Sequence, residues 1–280
     1  MTKDQQLKEL VKQKYSEIAL QDKDTNASSC CGASCCSTEV YNIMSDDYTQ
    51  MEGYNPDADL GLGCGLPTEY ARLKEGDTVI DLGSGAGNDC FIARSIVGEK
   101  GRVIGIDFTE TMIDKARINV EQLGYNNVEF RQGDIEHMPV MANVADVIVS
   151  NCVLNLVPNK NNVFKEIYRV LKPGGHFSIS DVVLAGELPE QLQNVAEMYA
   201  GCISGAIQRE EYLNLIHSNG FRDVTVQKQK PIVIPHDILS NHLSAAEIET
   251  FQQSKTGIYS ITVYATKPEA ACCEPGSGCC

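Results

Sequence analysis

Apolar and polar positions follow two rhythms along this chain, and the change falls near residue 76. Before it, residues 4–20 place Leu7, Leu10, Val11, Tyr15 and Ile18 at helical spacing, which predicts an amphipathic helix. The small-residue run TNASSCCGASCCST (25–38) predicts a loop. Residues 39–72 have mixed polarity and contain the glycine-rich LGLGCGLP at 60–67. Beyond it, short apolar runs predict strands at 78–83, 102–108, 128–134, 144–151 and 176–183. Helices are predicted between them at 88–98, 109–124 and 162–175, with Thr109 as an N-cap and Pro173-Gly174-Gly175 as a stop. Strands alternating with helices mean an α/β fold, a mostly parallel sheet covered by helices on both faces. After residue 185 the pattern shifts to a helical stretch (189–219), a strand pair (223–234 and 258–266) and a helix near 244–254. The division expected is an N-terminal helix and Cys-rich loop (1–45), a core (46–185), a smaller C-terminal cap region (186–268) and a Cys-rich tail (269–280).

Charge removes two classes of function. With 23 Lys and Arg against 38 Asp and Glu the net charge is −15, unsuited to phosphate backbones or anionic lipid surfaces. The first residues are polar, without the apolar segment of a secretion signal, and no run reaches the ~18 apolar residues of a membrane span. A cytoplasmic location is expected. There the 12 cysteines should be thiols, which points to metal binding or redox chemistry. Eight form adjacent pairs, at 30/31, 35/36, 272/273 and 279/280, where a bond within a pair would be strained. Cys31 and Cys35 have a spacing open to zinc or another soft ion. Cys64, Cys90, Cys152 and Cys202 stand alone, and Cys90 falls on the apolar face of a predicted helix, where a core role is expected.

The glycines carry the next inference. Asp81-Leu82-Gly83-Ser84-Gly85-Ala86-Gly87 lies where the first predicted strand gives way to a helix, so the backbone there turns tightly and approaches a ligand closely. The second strand ends at Asp107, suited to ribose hydroxyls, and the third at Gly133-Asp134-Ile135. Carboxyl ends of strands are where open α/β sheets bind ligands. A carboxylate at Asp81 would repel a pyrophosphate but attract an ammonium or sulfonium group. The loop therefore reads as a site for S-adenosylmethionine rather than a dinucleotide. With LKPGG (171–175), these blocks resemble class I S-adenosylmethionine-dependent methyltransferases, whose core is Rossmann-like. That resemblance implies that Asp107 binds ribose, Phe108 packs on adenine, Asp134 and Ile135 meet the adenine edge, and Asp81 and Asn151 lie near the methionine end.

Cys152 directly follows Asn151, so its thiol should face the same crevice, while Cys64 and Cys202 lie in small-residue stretches able to approach closely. Three such thiols suit a soft, thiophilic acceptor. GLGCG (61–65), DLGSGAGNDCF (81–91), GDIEHMPV (133–140), SNCVLNLVPNK (150–160), RVLKPGGHFSISDVV (169–183) and YAGCISGA (199–206) together resemble arsenite S-adenosylmethionine methyltransferases. By that resemblance Cys152 and Cys202 bind trivalent arsenic and Cys64 is a third thiol for binding or redox turnover. A fourth, redox cysteine maps to Cys30 or Cys31. The implied substrates are arsenite and methylarsenite as thiol conjugates, with thioredoxin or glutathione as the reductant. No general base is expected, His137 included, because no proton need move during methyl transfer. Two other readings fit the residues: a methyltransferase for a carbon, oxygen or nitrogen nucleophile, and a non-enzymatic thiol module that buffers soft ions.

Overall fold

The computed structural model describes residues 2–20, 46–189, 191–192, 205–234, 236–254 and 256–269. Among these residues seven strands form one sheet: β1 (Thr78–Leu82), β2 (Arg102–Asp107), β3 (Val128–Gln132), β4 (Ala145–Asn151), β5 (Leu171–Ala185), β6 (Arg222–Ile232) and β7 (Gly257–Thr266). Their order is β3-β2-β1-β4-β5-β7-β6. The first five strands pair in parallel, and β7 inserts antiparallel between β5 and β6. The C-terminal strand pair thus extends the same sheet. Order reverses between β1 and β4, which opens a crevice at their carboxyl ends.

Helices α1 (Lys3–Ala19), α2 (Pro67–Tyr70), α3 (Asn88–Val97), α4 (Glu110–Leu123), α5 (Lys160–Val170), α6 (Arg209–Ser218), α7 (His236–His242) and α8 (Ala245–Gln253) complete the described elements. Alternating residues of the central strands serve opposite faces. Ile80, Leu82, Ile104, Ile106 and Ile148 join Phe164, Phe177, Tyr212 and Phe221 in one core. Val79, Val103, Val147 and Val149 join Phe91, Met112, Ile113 and Phe130 in the other. Burial of each such side chain stabilises the fold by ~1.5–3 kcal/mol, which outweighs the weak helical preference of β-branched residues and keeps these runs in strands.

Three local readings change. Of the helical stretch expected over 189–219, the described residues 205–208 are not helical, Gln208 bridging Leu184 beside the sheet, and the helix runs over Arg209–Ser218. α5 ends at Val170, not at 175: Leu171 already pairs with Ala145, and Pro173-Gly174-Gly175 forms the irregular start of β5, with Gly174 at φ +78°. In α1, Val11 and Ile18 are buried but Leu7 stays exposed. A capping box between Thr2 and Gln5 starts this helix, and the Lys115 ammonium on α4 donates to its last carbonyl, Ala19 O, at 3.2 Å. Among the described residues no helix is long and apolar enough to cross a membrane.

Candidate functional site

A cleft of about 1080 Å³, open solvent at its mouth included, lies over the carboxyl ends of β1, β2 and β4. Its floor is the turn after β1. Gly83 (φ +67°) and Ser84 donate to Ile106 O at 2.7 and 3.0 Å, folding the turn across the end of β2. A Cβ on Gly83 would meet Val153 Cγ2 at 2.3 Å, so only glycine fits. Gly85 (φ +51°) faces open space, its nearest would-be neighbour being Met112 Sδ at 4.0 Å. Gly87 (φ +101°) begins α3 and lies behind the wall, where a Cβ would strike the Phe91 and Phe130 rings at 2.8 Å.

Asp81, Asp107, Asp134, Phe108, Ile135 and Asn151 all line this cleft, together with Cys152. Asp107 accepts Gly85 N–H at 3.0 Å and Thr109 N–H at 2.8 Å, which locks the loop to the strand end. Burial raises its pKa and these bonds oppose the rise. A carboxylate has about four lone-pair directions, so the bonds leave acceptor capacity for a ligand. Asp81 is 2% exposed, and burial together with neighbouring Asp89 pushes its pKa well up. The Cys90 thiol donates to Asp81 Oδ2 at 3.3 Å. Cys90 is fully buried in the core, as its helical position suggests, but it also braces a residue of the cleft.

The cleft also takes in Lys8, Tyr48, Asp59 and Asp89, whose part in it escapes sequence reasoning. Lys8 reaches from α1 to Asp134 at 2.5 Å and also pairs with Glu136. Its spacing marks only a polar helix face. Tyr48 O–H donates to Asp89 Oδ2 at 3.0 Å and to Gly65 O at 3.0 Å. Asp89 is half-buried in the first turn of α3, where it complements the helix dipole. Burial lifts its pKa to about 6, against hydrogen bonds from Asn151 and Tyr48. It therefore ionises as pH rises through about 6. Affinity for a cationic ligand should strengthen up to about tenfold between pH 5 and 7. Asp89→Asn should flatten that rise, as calorimetric titration with S-adenosylmethionine would show; an unchanged profile would remove Asp89 from cation recognition.

Asn151, the last residue of β4, joins the cleft to the glycine-rich segment before the core. Its Oδ1 accepts Cys64 N–H at 3.0 Å, and its Nδ2 donates to Gly65 O at 2.8 Å and to Tyr48 Oη. Cys152 follows in a left-handed conformation (φ +61°), its N–H donating to Ser180 O at 2.8 Å. A non-glycine residue there is strained by about 1 kcal/mol or more, which aims its side chain off the strand's normal alternation. Cys64 and Cys152 are both buried and share one apolar cluster with Val11, Leu156 and Val182. Cys64 does not line the cleft, although its neighbour Gly63 does. Cys202, Cys30 and Cys31 lie outside the described residues.

Strand order, the loop turned over β2 and the acid-lined cleft at the switch point define a class I methyltransferase. The family described as "Methyltransferase domain" matches residues 73–220. An arsenite methyltransferase from Halobacterium salinarum is 41% identical over 79% of this chain and 59% of its own length. One from Aquipseudomonas alcaligenes is 34% identical over 85% of this chain and 68% of its own. Among solved structures, an arsenic(III) S-adenosylmethionine methyltransferase from Chlamydomonas reinhardtii is 31% identical, with TM-score 0.61 over 84% of this chain and 75% of that one. The chain belongs to the arsenite methyltransferase family. It spans 59% of the Halobacterium relative's length.

The cleft fits S-adenosylmethionine. Among the described residues Ser84 Oγ, buried there, has no hydrogen-bond partner, Gly85 leaves a space that a side chain would fill, and five carboxylates against one lysine line the cleft, which favours a cation.

Proposed function

We propose that this chain transfers methyl groups from S-adenosylmethionine to trivalent arsenic bound to its cysteines, giving methylated arsenicals. The observation that carries this reading is Cys152: buried, held at positive φ directly after Asn151, and lining the same cleft as Asp81 and Asp107. S-adenosylmethionine, when bound, supplies an electrophilic methyl group on sulfonium sulfur. Asp107 and Phe108 hold the nucleoside, Asp134 and Ile135 the adenine edge, and Asp81, Asp89 and Asn151 the methionine end. The glycines at 83 and 85 let the backbone reach it.

Cys152, Cys64 and Cys202 exchange with hydroxyls on arsenic. Each exchange forms an As–S bond and releases water, with the thiol proton leaving on the displaced hydroxide. Arsenic keeps its lone pair, and that pair would form the As–C bond as the S–CH3 bond breaks, its electron pair returning to sulfur to leave S-adenosylhomocysteine. The cysteines' contribution is proximity and alignment, and no side chain need accept a proton in that step. Arsenic is then formally As(V). The thiolate of Cys30 or Cys31, or an external thiol, attacks the Cys64 sulfur; the As–S bond to Cys64 breaks with its electron pair returning to arsenic, now As(III), and a disulfide forms, which thioredoxin or glutathione reopens for the next cycle. That requirement fits a reducing compartment such as the cytoplasm.

Incubating the protein with arsenite, a dithiol reductant and methyl-labelled S-adenosylmethionine should place the label in methylated arsenic. Arsenite binding without labelled product would favour a thiol module, and label in another acceptor would favour a different methyltransferase.

A further inference from the structure

The segment carrying Cys64 rests on a row of hydroxyl groups where a sheet face would ordinarily be aliphatic. Ser178 on β5 donates to Pro67 O at 2.8 Å. Ser180 on β5 bonds Thr262 on β7 at 2.8 Å, directly beneath Gly65, where a Cβ would lie 2.5 Å from Ser180 Oγ. Ser260, two residues before Thr262 on β7, donates to Cys64 O at 2.5 Å. All four hydroxyl residues are at most 5% exposed. Cys64 is thus gripped from both sides, its N–H by Asn151 and its carbonyl by Ser260.

Burying hydroxyls costs free energy unless each is bonded, so a row of them that serves one loop is a seat shaped for that loop. Gly63 and Gly65 close the remaining freedom, since a Cβ on Gly63 would meet Asn151 Nδ2 at 2.6 Å. With both peptide groups of Cys64 fixed, its Cα–Cβ direction is fixed, and the thiol is presented toward the apolar cluster that also holds Cys152. Ser260 does not line the methyl-donor cleft, whereas Asn151 does. The two grips can therefore be separated by experiment.

We propose that Ser260 is a positioning residue for the arsenic-binding thiol of Cys64, acting through the Cys64 carbonyl; the proposal rests on Cys64 being an arsenic ligand. Ser260→Ala should raise the KM and Kd for arsenite about tenfold, the size of one lost buried hydrogen bond. It should leave the single-turnover rate of the first methylation at saturating arsenite and affinity for S-adenosylhomocysteine within about twofold. Ser260→Thr, which keeps the hydroxyl, should restore arsenite affinity. Unchanged arsenite affinity in Ser260→Ala, alongside a clear loss in Cys64→Ser, overturns the role of Ser260 and leaves that of Cys64 standing. Parallel losses of both ligands in Ser260→Ala indicate general loosening and overturn it equally. Undiminished arsenite affinity in Cys64→Ser overturns the underlying reading instead.

Discussion

Cys152→Ser is expected to abolish arsenic methylation while leaving S-adenosylhomocysteine binding within about twofold of the native protein. The substitution exchanges one atom, so packing in a site that is 2% exposed is nearly conserved, and serine takes the same backbone angles. What is lost is chemical: a hydroxyl is a hard donor, while arsenic(III) prefers soft sulfur. Without that sulfur the arsenic is no longer held against the methyl donor, and proximity is the main catalytic contribution available. A second variant guards against a folding artefact. Cys152→Gly removes the thiol yet suits φ +61°, which offsets part of the cost of the cavity it leaves, so it should fold and be equally inactive. Circular dichroism, calorimetric titration and the labelled-methyl assay on both variants decide the matter. Methylation at more than a few per cent of the native rate in either would remove Cys152 from the acceptor site.

The core architecture was legible because hydrophobic period and punctuation agree along residues 78–183. TVIDL, RVIGID and ADVIVSN are too short and too β-branched for helices, and Gly98 and Gly124 stop the helices between them. The acids at strand ends were legible for the same reason, since a strand boundary fixes where the next residue points. The misplaced end of α5 shows the limit. LKPGG reads as a helix stop, but pairing of Leu171 with Ala145 takes its first residue into a strand, a long-range contact that local propensity does not encode. Lys8, Tyr48 and Ser260 were missed for a related reason. Lys8 lies 126 residues from Asp134, and Ser260 lies 196 from Cys64, so only the folded chain makes them neighbours. A serine within IYSITVYAT looks like an exposed strand position; its burial follows from the loop laid over that face.

Asp107→Ala should weaken S-adenosylmethionine binding by roughly two to three orders of magnitude and lower thermal stability as well. In the protein itself the carboxylate accepts Gly85 N–H and Thr109 N–H, and alanine leaves both donors without that acceptor at a site only 8% exposed. Each unsatisfied buried donor costs about 1–3 kcal/mol, so the turn over β2 should loosen and the melting temperature should fall. The ligand then loses more. Hydrogen bonds from ribose hydroxyls to a charged acceptor contribute about 1.5–3 kcal/mol each, and the loop that should receive the nucleoside is no longer held in shape. Asp107→Asn separates the two effects. One amide oxygen can keep a single backbone bond, while its NH2 group opposes the other N–H, so stability should fall less than in alanine but ribose recognition should still be poor. Scanning calorimetry with and without S-adenosylhomocysteine measures both quantities in one series. If Asp107→Ala melts lower yet gains the same ligand-induced stabilisation as the native protein, Asp107 serves only the loop, and the nucleoside is held elsewhere in the cleft.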